Sequence, residues 1–108
     1  TMAEAMTLGE KVYQGYCAAC HQAGGTGLPG VFPALKGSKM ATLADQKAAH
    51  INIVLNGKAG TAMQAFGKQL SLQEIAAVIS YERNAWDNNT GDLVQAADVQ
   101  AAKNGQKE

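Results

Sequence analysis

Large side chains are scarce in this chain. Aromatic residues make up 6% of its 108 residues, namely Phe32, Phe66, Trp86, Tyr13, Tyr16 and Tyr81, while Gly and Ala abound. A chain this short buries a limited fraction of its surface and often needs a metal, a disulfide or a bound group for support. A large flat apolar ligand at the centre would supply the missing bulk. Net charge is also lacking, at zero, which argues against non-specific nucleic-acid binding. No apolar stretch is long enough to span a membrane, and no basic–apolar–small leader opens the sequence. The chain is therefore expected to be a mature form or a soluble piece of something longer. Its length suits one domain, 1–108, and not two.

The charge that is present is unevenly placed. Lys36, Lys39, Lys47, Lys58 and Lys68 face Asp45 alone in residues 36–68, whereas Glu74, Glu82, Asp87, Asp92 and Asp98 face Arg83 alone in 69–102. This reads either as two differently solvated faces or as a charge dipole that orients the domain on a partner. Helix starts are signalled at Thr7-Leu8-Gly9-Glu10, Thr42-Leu43-Ala44-Asp45 and Ser71-Leu72-Gln73-Glu74. In each, a hydroxyl precedes an acid by three residues, so the two can cap the first turn reciprocally. Apolar positions then recur with the helical period. They are Leu8, Val12, Tyr13 and Tyr16, then Leu43 to Leu55 ending near Gly57, then Leu72 to Ile79 with Trp86 as an outlying member. A short further helix is expected from Asp98 to about Lys103. No convincing strand and no internal repeat are seen, so the expected class is all-α. The segments 24–38 and 56–67 are rich in Gly and Pro, which forbids long regular structure and lets backbone approach a flat ligand closely.

Chemistry concentrates in Cys17-Ala18-Ala19-Cys20-His21, which reads as a c-type haem attachment site. Two cysteines three apart on one helical turn can add their sulfurs to two vinyl groups of a porphyrin. The adjacent His is then held under the iron, and its outer ring nitrogen needs an acceptor. A thioredoxin-like pair would want a preceding strand, where a helix is expected here. A zinc site could draw on Cys17, Cys20, His21 and His50, but adjacent Cys20 and His21 would have to face one ion. Haem consumes both cysteines, so no disulfide is expected.

A Met opposite the His raises the potential of such a haem and is common in electron carriers. Met2 and Met6 lie on the wrong side of the motif. Met40 suits gap-filling in a core. Met63 sits in the glycine-bracketed stretch Gly60-Thr61-Ala62-Met63-Gln64-Ala65-Phe66-Gly67, which can swing a flexible thioether over the open face. Met63 is therefore the expected sixth ligand. His50 is the weaker candidate, since a lone His beside an apolar helical stripe is more often a satisfied core residue.

On these residues the chain resembles class I cytochromes c over roughly Gly9 to Trp86. In that family the first and last helices cross through a small residue and an aromatic, matched here by Gly9 and Tyr13 with Val78 and Tyr81. The resemblance implies three main helices around one covalent haem c, with 7–87 as the haem-binding part and 88–108 as an extension. It implies that the carbonyl of Pro33 accepts from the outer nitrogen of His21, and that His21 and Met63 are the metal ligands. Residues 60–67 and 81–92 further resemble the cytochrome c domain fused to subunit II of bacterial cytochrome c oxidases. That likeness implies a soluble cytochrome c as donor and a dinuclear copper domain of the same oxidase subunit as acceptor. It also implies a place on the periplasmic side of the inner membrane. The ligands of a copper centre are not in this sequence. A free periplasmic shuttle cytochrome is the near alternative, and an open-site haem enzyme or gas sensor is the alternative of another class.

Overall fold

The computed structural model describes all residues except 23, 28–33, 59–62, 64, 87 and 106–108, with the backbone alone at 19, 20, 39, 40 and 44. Helices α1 (Met2–Tyr16), α2 (Ala18–His21), α3 (Lys39–Thr42), α4 (Lys47–Asn56), α5 (Leu72–Asn84) and α6 (Ala96–Gly105) follow in order, and a 3-10 turn over Ala44–Gln46 leads into α4. Among the described residues there is no strand, so the all-α class holds.

Helix starts divide into one that matches expectation and three that do not. Ser71 caps α5 as expected, with its hydroxyl accepting from Glu74 N and the Glu74 carboxylate accepting from Ser71 N. The first helix begins earlier than expected, because Thr1 and Glu4 form their own capping box. Thr7 therefore lies inside α1 and returns its hydroxyl to the Ala3 carbonyl at 3.1 Å. Thr42 ends α3, with its hydroxyl donating to the Ser38 carbonyl at 2.7 Å. Leu43 is consequently 44% exposed and does not belong to the apolar stripe of α4. The last helix starts at Ala96 because Asp98 caps from within, accepting from Gln95 N at 2.8 Å.

The core is built where α1 and α5 cross. A Cβ placed on Gly9 would collide with the carbonyl oxygen of Ala77 and lie 2.6 Å from Tyr81 Cβ. The backbones approach this closely only because Gly9 has no side chain. Val12 and Tyr13 of α1 bury against Ile75, Val78 and Ile79 of α5, and Ile51, Val54 and Leu55 of α4 extend the same cluster. The segment after α4 runs back along it, with Phe66 N and Gly67 N donating to Val54 O and Leu55 O. Residues 88–105 also reach the core. Val94 and Val99 are buried, and Ser80 Oγ, itself fully buried, accepts from Val94 N at 2.9 Å.

Candidate functional site

The attachment motif straddles a helix junction. Cys17 ends α1, where its N–H donates to Tyr13 O, and it also caps the single-turn α2. His21 N donates to Cys17 O at 3.0 Å, so Cys17, Cys20 and His21 share one turn. Cys17 is half-buried against the core, and His21 is buried. The Cys20 side chain and all of Pro33 lie outside the described residues.

After His21 the chain doubles back. Gly25 N donates to Gln22 O and Gly27 N to His21 O. Gln22 adopts φ 71° and Gly25 φ 70°, left-handed values that favour glycine. Tyr13 reaches this turn from α1, donating its hydroxyl to Gln22 O at 2.6 Å. Its phenol is pushed well above the usual tyrosine range, chiefly by desolvation and secondarily by the negative charge of Glu82.

Met63 is half-buried and packs against the same core as Cys17. Its segment is tied to the attachment motif by a ring pair. Phe66, three residues on, stands edge-on to Tyr16 with centroids 6.2 Å apart, and Tyr16 immediately precedes Cys17. Phe66 thus lands beside the end of α1. Met40 has only its backbone described.

His50 is otherwise engaged. Its Nε2 lies 2.6 Å from Glu82 Oε1 and its Nδ1 3.3 Å from Arg83 Nη1. Arg83 donates further to Asp92 Oδ2 and to the Leu43 carbonyl. Both imidazole nitrogens face partners inside a buried cluster, which removes His50 as a haem or zinc ligand. Among the described residues no group of three or more His, Cys, Asp and Glu side chains could hold a metal ion. This cluster was missed at the level of sequence, although the position of Arg83 as the lone cation among five acids was the signal for it. It also recasts the acidic stretch. Glu82 and Asp92 serve His50 and Arg83, while Glu74 and Asp98 serve helix starts.

The donor set suits haem c. Cys17, Cys20 and His21 share one turn, and Met63 packs against the same core as Cys17. The family model for "cytochrome c oxidase, cbb3-type, subunit III" matches residues 4–81. This chain belongs to the cytochrome c family. The cytochrome is 35% identical over 101 residues to the cytochrome c subunit of the quinone-dependent alcohol dehydrogenase of Gluconobacter oxydans, covering 85% of this chain and 21% of that protein. It is 34% identical over 100 residues to the gluconate 2-dehydrogenase cytochrome c subunit of Pantoea cypripedii, covering 84% and 23%. With cytochrome c-552 of Thermus thermophilus it shares 37% identity over 90 residues, covering 72% and 67%. The chain therefore spans about a fifth of the length of the dehydrogenase subunits it matches. Covalently bound haem c is the family's cofactor and the cofactor of this cytochrome. No helix among the described residues is long and apolar enough to cross a membrane.

Proposed function

We propose that this cytochrome carries single electrons on one haem joined to Cys17 and Cys20, with His21 and Met63 as axial ligands. The bound haem supplies the one-electron couple, and the protein supplies ligands, orientation and exclusion of water. The observation that carries the reading is the Tyr16–Phe66 ring pair. It ties Phe66, three residues after Met63, to Tyr16, the residue before Cys17. A thioether there would favour the reduced state and, with His21, would leave the iron no open position for an exogenous ligand. Pro33 is assigned as the acceptor for the outer nitrogen of His21, which would fix the ring's rotation. Residues 7–87 form the haem-binding part and 88–108 the extension.

The finer assignment is a cytochrome c domain of oxidase subunit II, on the periplasmic side of the bacterial inner membrane. It would take electrons from a soluble cytochrome c and pass them to the dinuclear copper domain. Residues 60–67 and 81–92 support it by resemblance. A second reading, as the cytochrome module of a dehydrogenase, is favoured by the two dehydrogenase cytochrome subunits matched above.

Two measurements test the proposal. The ferric protein should show a weak far-red sulfur-to-iron band that Met63→Ala abolishes; a band that persists in Met63→Ala refutes the ligand. Electron transfer from the reduced protein to an isolated oxidised dinuclear copper domain should be faster than transfer from a substrate-reduced dehydrogenase subunit to the oxidised protein. The reverse order overturns the oxidase assignment and supports the dehydrogenase one.

A further inference from the structure

The turn after α5 carries an expensive conformation whose purpose lies elsewhere in the fold. Trp86 sits at φ 53° and Asn89 at φ 45°, left-handed values that a bulky L-residue adopts only when its surroundings compel it. Trp86 spends this strain on one contact surface. A Cβ built on Gly25 would lie 2.7 Å from both Cδ2 and Cζ3 of the indole, so the six-membered ring lies against bare backbone at Gly25. Tyr13 and Tyr81 also pack against Trp86, with ring centroids 4.9 and 5.5 Å away.

Gly25 is the residue on which the His21 turn closes. Its N–H donates to Gln22 O, and its carbonyl accepts from both Leu35 N at 2.7 Å and Lys36 N at 2.9 Å. Asn88, two residues after Trp86, grips residues 35–37, where the same loop returns. Its amide donates to Leu35 O at 3.2 Å and to Glu82 O at 2.6 Å, and its Oδ1 accepts from Gly37 N at 2.7 Å. One short turn therefore presses on the start of the loop through Trp86 and ties its end through Asn88. The Glu82 carbonyl anchors the arrangement to α5. Trp86 and Asn88 both lie beyond the residues matched by the family model.

We infer that Trp86 and Asn88 are positioning residues for His21: together they clamp the loop that leaves the axial histidine and so set how its imidazole is presented to iron. The inference rests on His21 being the axial ligand. A His that is held firmly toward its outer-shell acceptor is a stronger donor to the metal, and loosening it weakens that donation. Weaker donation favours the reduced state.

The test uses the haem-loaded chain and the variants Trp86→Ala, Trp86→Phe and Asn88→Ala. In Trp86→Ala and Asn88→Ala the ratio of reduced to oxidised protein at fixed ambient potential should rise by up to about tenfold, that is by up to about 59 mV for one electron. The low-spin ferric g values should change while the far-red sulfur band persists. Trp86→Phe, which keeps an aromatic face for Gly25, should restore most of the parent potential. Asn88→Ala keeps the readout available should Trp86→Ala fail to fold. A potential that is unchanged or lower, with parent g values, in a variant that has only lost stability overturns the inference. A parent protein without low-spin His–Met spectra would instead overturn the ligand assignment beneath it.

Discussion

Alanine at Gly9 and alanine at Gly15 are the same chemical change on the same helix, and they should move stability in opposite directions. Helix propensity favours both by roughly 0.5–1 kcal/mol. At Gly15 nothing lies within 4 Å of the added Cβ, so Gly15→Ala should realise that gain. At Gly9 the added carbon would collide with the Ala77 carbonyl oxygen and stand 2.6 Å from Tyr81 Cβ, where ordinary contact begins at 3.4 Å. Neither obstacle is the end of a flexible side chain, so α1 and α5 must part by about 0.5–1 Å, a gap that forfeits a quarter to a half of each dispersion contact. Val12 and Tyr13 make their contacts across this crossing, and a buried large side chain makes about 40–60 contacts at ~0.1–0.2 kcal/mol each. Partial relaxation brings the expected cost to roughly 3 kcal/mol, at the upper end for overpacking. The net expectation is a loss of about 2 kcal/mol for Gly9→Ala, and so about 3 kcal/mol between the two variants. Guanidinium unfolding of the haem-loaded protein, followed by helical circular dichroism, measures this as midpoint shifts at constant slope. A Gly9→Ala protein as stable as its parent would refute the close-packed crossing.

Two further outcomes follow from buried polar groups. Arg83→Met strips donors from Asp92, His50 and the Leu43 carbonyl at once; Arg83 is fully buried, so the same unfolding titration should show a loss of about 3–5 kcal/mol. Arg83→Lys should recover only part of it, since an ammonium cannot match the guanidinium fork; a loss below about 1 kcal/mol in Arg83→Met would contradict the network. Tyr13, whose phenol is held protonated by burial first and by Glu82 second, predicts alkaline lability. A raised folded value means the contribution is intact below the unfolded tyrosine pKa of about 10 and is lost as pH rises above it, because the unfolded chain releases the proton first. Stability measured from pH 9 to 11 should therefore fall, and Tyr13→Phe should flatten that fall; an equally steep decline in Tyr13→Phe would exclude Tyr13 as its source.

Local chemistry was legible in the sequence. Ser71 and Glu74 announced their helix, because a capping box needs only neighbours on one turn. The attachment motif announced its cofactor for the same reason, since Cys17, Cys20 and His21 share one turn. Helix starts were misread where two signals competed. Thr7 and Thr42 carry the right spacing, but Thr1 and Ser38 take the capping and backbone roles instead.

By itself, then, the sequence determined the helical class and the covalent haem, both of which depend on spacing along one stretch of chain. Only the tertiary structure decided the fate of His50, which faces Glu82 and Arg83 across 32 and 33 positions. It alone set Trp86 against Gly25 and Asn88 against Leu35 and Gly37. These pairings turn on which helix faces meet and how closely. That is settled by packing around the Gly9 crossing, and no local periodicity encodes it.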